Sequence, residues 1–155
     1  MRRKGLKRRQ FCGDACKAVS FATLGSLVQG CGGTPTSPSA RSVPFLPSVN
    51  ATVSNGVVTM TIDAASPLSA VGSAALVQSS LGKLLVVHTA QSTFTALAAI
   101  CTHEACTILG FDGSTFVCPC HGSEFNRSGR VLKGPASASL RQSTTQFTNN
   151  VLTIS

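Results

Sequence analysis

The sequence predicts an all-β protein, a small antiparallel barrel or sandwich, on three observations. Short runs rich in β-branched and aromatic residues recur at close spacing from Asn50 onward. Turn pairs separate them: Asn55-Gly56, Asp112-Gly113, Ser128-Gly129 and Asn149-Asn150. Charged residues make up only 12% of the chain and small ones abound, which suits a β-rich exported domain better than a helical bundle. A length of 155 residues allows one modest domain with a single core and is too short for two.

Taken in order, Val57 to Ile62 follows the Asn55-Gly56 turn and reads as a strand. Ala74 to Val77 and Lys83 to His88 are two more, the second holding the apolar run Leu84-Leu85-Val86-Val87. Thr93 to Ala98 alternates around Phe94 and Leu97. Thr107 to Phe111 and Ser114 to Val117 flank Asp112-Gly113 as a hairpin, and Asn149-Asn150 leads into a last strand, Val151 to Ile154. No long helix and no internal repeat follow the first segment. His88, at the end of an apolar strand, reads as a partly exposed strand histidine.

Residues 1–31 read as an export signal. A basic region ends in Lys7-Arg8-Arg9-Gln10-Phe11 and gives way to a mildly apolar stretch, Ala18 to Val28. That stretch is about half the ~20 residues needed to span a bilayer, so a permanent membrane helix is not expected. The Arg8-Arg9-x-Phe11 run resembles a twin-arginine signal, whose pathway moves folded proteins; an ordinary secretory signal with a chance Arg pair is the alternative. The segment ends in Leu27-Val28-Gln29-Gly30-Cys31, similar to a bacterial lipobox although Gln29 is unusual there, which makes Cys31 a lipidation candidate. Plain cleavage, or an uncleaved anchor with Cys31 a bystander, is the other reading. Residues 32–50, rich in Pro, Gly and Ser, read as a tether, and residues 51–155 as the folded domain.

The net charge of +8 invites a nucleic-acid reading, but seven of the thirteen Lys and Arg lie in the first seventeen residues. From Cys31 onward six basic residues face four acidic ones, near +2, and the chain has no Tyr or Trp to stack on bases. Nucleic-acid binding is therefore not expected.

Two short segments hold nearly all the chemistry. One is Cys101-Thr102-His103-Glu104-Ala105-Cys106 and the other Cys118-Pro119-Cys120-His121-Gly122-Ser123. Each offers a Cys and a His from a tight loop, and the Asp112-Gly113 hairpin brings the loops side by side. Two thiolates and two imidazoles suit either a tetrahedral zinc ion or a [2Fe–2S] cluster with Cys on one iron and His on the other.

The second segment, together with Gly129-Arg-Val-Leu-Lys-Gly-Pro135-Ala136, resembles the cluster loops of Rieske proteins of the cytochrome bc type, and the likeness runs from about Pro67 to Ser155. The resemblance implies a Rieske fold, with the cluster at the tip of a small β subdomain inserted in a larger antiparallel β domain. It places the cluster ligands on Cys101, His103, Cys118 and His121, a disulfide between Cys106 and Cys120, and a third covering loop at Gly134-Pro135. Ser123 matches the family's serine that donates to a bridging sulfide. The resemblance also implies exposed outer imidazole nitrogens whose proton release is coupled to oxidation.

Two positions depart from the high-potential members. Phe125 stands where they have a Tyr that donates to a cysteine sulfur, so a lower potential is expected. Glu104 stands where an apolar residue commonly docks at a quinol site, which puts quinol oxidation in question; a solvated loop charge is the plain reading. The expected role is one-electron transfer, with no catalytic residues of its own. The chain would be an exported, lipid-tethered carrier on the periplasmic side of a bacterial membrane, or a subunit of a quinol-oxidising or periplasmic oxidoreductase complex, beside a cytochrome b or c or a molybdopterin oxidoreductase. The alternatives are a dioxygenase-type Rieske ferredoxin, which lacks the Cys106/Cys120 pair, and a zinc-stabilised module without redox function.

Overall fold

The structure is a computed structural model that describes residues 43–155, and every regular element among them is a strand. The export signal, Cys31 and the first part of the tether lie outside the described residues.

A central sheet carries β1 (Ser48–Asn50), β4 (Ala74–Ser79), β5 (Gly82–Ala90), β6 (Thr93–Ala98) and β11 (Gln142–Ser143), in that order. Its pairings are antiparallel except for β1 with β4. On one side lies a sheet of β12 (Thr145–Thr148), β13 (Val151–Ile154), β3 (Val57–Thr61) and β2 (Thr52–Ser54). The third sheet, of β10 (Val131–Lys133), β9 (Glu124–Asn126), β8 (Thr115–Val117) and β7 (Gly110–Phe111), forms the tip.

Successive residues of a strand point to opposite faces, and the central sheet has apolar side chains on both. Ala75, Val77, Val86 and Ala96 pack with Val58, Met60, Leu152 and Ile154 of the outer sheet, forming the base core. Their immediate neighbours Ala74, Leu76, Leu85, Val87 and Leu97 pack instead with Ile108, Phe116 and Phe125, forming the tip core, so the domain has two cores back to back across one sheet rather than the single core expected. Burial on both faces explains why β4 and β5 read as unbroken apolar runs rather than as alternating ones.

The tip is an insertion. The chain leaves the central sheet after β6, builds β7 to β10 and returns as β11 on the far side of β6. The Ala98 N–H donates to the Arg141 carbonyl at 2.8 Å and closes the neck of the insertion.

Three local expectations change. Residues 43–50, read as the end of the tether, belong to the domain: Ser48–Asn50 pairs with Leu76–Gln78, and Phe45 bridges Gly110. The two prolines there, Pro44 and Pro47, use their carbonyls to accept from Phe111 and Leu76, so they lie along the edges of sheets rather than in a free linker. The strand expected over Thr107 to Phe111 shrinks to Gly110–Phe111, because Ile108 is drawn away to donate to the Ala99 carbonyl at 2.8 Å. His88 is buried, not partly exposed, since β5 has no solvent face there; its Nδ1 bonds the Leu68 carbonyl at 2.9 Å and its ring stacks on Phe94 at 4.3 Å.

Candidate metal centre

The two segments form twin loops at the end of the tip. In the first, the Cys101 N–H donates to the Cys106 carbonyl at 2.8 Å and the Ala105 N–H to the Cys101 carbonyl at 3.0 Å. In the second, the Cys118 N–H donates to the Ser123 carbonyl at 2.9 Å and the Gly122 N–H to the Cys118 carbonyl at 3.0 Å. The fifth residue of each loop is left-handed, with φ of 54° at Ala105 and 71° at Gly122. Glycine adopts this conformation freely, whereas alanine is strained in it. The disulfide between Cys106 and Cys120 ties the loops together, with a Cα–Cα distance of 6.6 Å.

A third loop closes over both. Its Gly134-Pro135 peptide is cis. The fully buried Ser123 hydroxyl accepts from the Ala136 N–H at 3.0 Å, and Thr102 donates to the Ala138 carbonyl at 2.5 Å. Each of the twin loops thus holds one point of the third. The role of Thr102 escapes sequence reading, because its partner lies 36 residues away and nothing local marks the contact.

All four ligand candidates reach this end of the tip, but they sort by depth. Cys101 and Cys118 are free thiols, 2% and 1% exposed, set into the tip core. His103 and His121 are exposed, with ring centroids 4.9 Å apart and nearly perpendicular. Glu104 joins them: donor atoms of His103, Glu104 and His121 lie within 4.8 Å of one another. The Glu104 carboxylate stands 3.8 Å from His121 Nδ1, with both groups well exposed, so the attraction is weak.

Burial pushes the Cys118 thiol above its ordinary pKa, and its hydrogen bond with the Cys101 thiol and the repulsion between two anions there push it further. The backbone groups of Cys120 and His121 hydrogen-bond its sulfur and oppose the rise. Two thiols this close and this deep do not both ionise unless a cation takes up the charge. The donor set fits a [2Fe–2S] cluster on that ground and on its sorting into an inner sulfur pair and an outer nitrogen pair. A single tetrahedral ion needs all four donors converging on one point at about 2.0–2.3 Å.

Fold and donors together define a β domain that presents an iron–sulfur cluster at one end. The chain belongs to the Rieske [2Fe–2S] domain family, whose model matches residues 60–145, and its cofactor is a [2Fe–2S] cluster. It is similar to the cytochrome b6-f complex iron-sulfur subunit of Prochlorococcus marinus MIT 9303, 54% identical over 43 residues that cover 27% of this chain and 24% of the relative. The chain thus spans about a quarter of the length of the relatives it matches. Among solved structures it resembles the plasma membrane Rieske protein PetC3 of Synechocystis PCC 6803, with 34% identity, a TM-score of 0.48, and coverage of 53% of this chain and 85% of that one. It shares its fold with a chain of the carbazole 1,9a-dioxygenase oxygenase–ferredoxin complex, at 22% identity and a TM-score of 0.50, covering 63% and 92% respectively.

Proposed function

We propose that the chain is an exported one-electron carrier whose cluster is held by Cys101 and Cys118 on the buried side and by His103 and His121 on the exposed side. The observation that carries this reading is the depth order of the four donors on two loops of matching hydrogen-bond pattern. A Rieske cluster supplies one-electron transfer at roughly −150 to +300 mV.

The chain's own residues do the rest. The buried thiols and the core behind them keep water from the sulfur side, while the two imidazoles form the contact face for a redox partner. Backbone groups of Cys120 and His121 hydrogen-bond the Cys118 sulfur and favour extra negative charge there. The disulfide and the third loop hold this geometry where few large apolar side chains are available. The relatives' name, iron-sulfur subunit of the cytochrome b6-f complex, supports a cytochrome-containing partner; a molybdopterin oxidoreductase is the other candidate. Glu104 puts a carboxylate on the contact face and favours a charged protein surface over a greasy quinol pocket.

The Arg8-Arg9 signal, Cys31 and the following Pro/Ser/Gly segment support export in the folded state and attachment by lipid on the periplasmic side. Purified full-length protein should be red-brown, contain two irons and acid-labile sulfide, and give a rhombic EPR signal on reduction. Colourless, zinc-loaded protein that takes up no sulfide on anaerobic reconstitution would overturn the cluster assignment. Replacing Arg8 and Arg9 by Lys should leave the protein in the cytoplasm, and intact mass should show acyl chains on Cys31.

A further inference from the structure

Metal ligation and disulfide chemistry meet at one point of the tip. The sulfurs of Cys106, Cys118 and Cys120 lie within 4.8 Å of one another, although Cys106 and Cys120 are already bonded. The Cys118 thiol is also hydrogen-bonded to the Cys101 thiol. Four sulfurs therefore form a continuous chain that runs from Cys101 through Cys118 to the disulfide. The inner two carry thiols and the outer two share a bond.

We propose that these four cysteines form a closed thiol–disulfide relay, silent while iron occupies Cys101 and Cys118 and running once iron is lost. The relay rests on the ligand assignment made above. A metal-bound sulfur has its nucleophilic electrons committed, whereas a released one is free to attack a neighbouring disulfide.

In the first step the Cys118 sulfur attacks Cys106. A Cys118–Cys106 bond forms, the Cys106–Cys120 bond breaks, and Cys120 leaves, taking up a proton that replaces the one Cys118 gave to water. Cys120 is the better leaving sulfur because it is exposed to water, while Cys106 is half-buried. In the second step the Cys101 sulfur attacks Cys118. A Cys101–Cys118 bond forms, the Cys118–Cys106 bond breaks, and Cys106 takes up the proton balancing the one Cys101 lost. One disulfide and two thiols stand on each side, so no oxidant or reductant is consumed.

Solvation favours the product. Two thiols leave the driest positions of the tip for two wetter ones, and the buried pair becomes a neutral bond. The product also locks both ligand sulfurs, so a carrier that loses iron in an oxidising compartment cannot be recharged until a dithiol reopens the bond.

The test starts from the cluster-loaded full chain, with iron and acid-labile sulfide measured first. Iron is then withdrawn anaerobically by a chelator, the released sulfide is swept out under inert gas, and no thiol or oxidant is added. Free thiols are capped with an alkylating agent over time, and the pairing is mapped by mass spectrometry of peptides. Retained β-sheet signal in circular dichroism shows that the chain stays folded. Loaded protein should give the Cys106–Cys120 peptide throughout. Stripped protein should lose it, gain the Cys101–Cys118 peptide, and carry the cap on Cys106 and Cys120. Rebuilding the cluster from ferrous iron and sulfide should then fail, and succeed after a dithiol.

A stripped protein that keeps Cys106–Cys120, with the cap on Cys101 and Cys118, overturns the relay and leaves the ligand assignment standing. A random mixture of pairings also overturns it. Starting material without iron or sulfide overturns the ligand assignment, and the relay with it.

Discussion

Ser123 is fully buried, and its hydroxyl oxygen already accepts the Ala136 N–H at 3.0 Å. Its own proton is therefore left to donate elsewhere, and on the proposed ligation it would go to a cluster sulfide, so that one side chain would both fix the third loop and tune the centre. Ser123→Ala should lose both functions. A buried N–H at Ala136 left without an acceptor costs about 1–3 kcal/mol, to be read as a lower temperature of thermal unfolding. The potential measured by voltammetry should fall as well. Phe125 is equally buried and pairs with Phe116 and Val131 in the tip sheet. A hydroxyl added there by Phe125→Tyr supplies a donor near the ligand loops, and a gain of about one hydrogen bond in the reduced state corresponds to a rise on the order of 60 mV. No rise in voltammetry would show that the hydroxyl does not reach sulfur. Both positions are legible in the sequence as neighbours of Cys118 and His121. Thr102 is not, because its hydrogen bond joins two loops whose approach depends on the whole tip.

The twin loops share a hydrogen-bond frame but not a residue at their left-handed position, where one has Ala105 and the other Gly122. Alanine there is strained by roughly 1–2 kcal/mol, and glycine removes that strain while losing about 0.4–1 kcal/mol through a freer unfolded chain. Ala105→Gly should therefore leave the protein between unchanged and about 1.6 kcal/mol more stable by denaturant unfolding, with cluster content retained. The elements read most clearly from the sequence are those with dense β-branched or apolar signals. Val57 to Ile62, Thr93 to Ala98 and Val151 to Ile154 fall within a residue of the observed strands. Gln142–Ser143 and Thr145–Thr148 could not be read this way. They are polar, exposed to half-buried segments that become strands only by pairing with β6 and β13, and pairing is a long-range property. Ser48–Asn50 was hidden in the same way by the prolines around it.

At the scale of the molecule, the central sheet serves two cores, and adjacent residues of β5 report on different ones. Leu85 faces the tip core and Val86 the base core, both fully buried. Leu85→Ala should cost about 2–5 kcal/mol, and Val86→Ala somewhat less because fewer atoms are removed. The two should differ in how the iron is lost. Bleaching of the visible band should precede the loss of circular dichroism on heating Leu85→Ala and coincide with it in Val86→Ala. The site was more legible than the packing behind it: ligand spacing and loop residues are written within 23 consecutive positions, 101–123, whereas a sheet buried on both faces shows in the sequence only as runs without alternation. Burial of His88 follows from the same arrangement and is hidden in the sequence for the same reason. The shared sheet also means that the tip is not a transplantable cassette. Excising residues 99–141 would leave Leu76, Leu85, Val87 and Leu97 facing water as a sticky plane, and this tip grafted onto another protein would arrive with no counterpart for its Phe116 and Phe125 unless that plane came along.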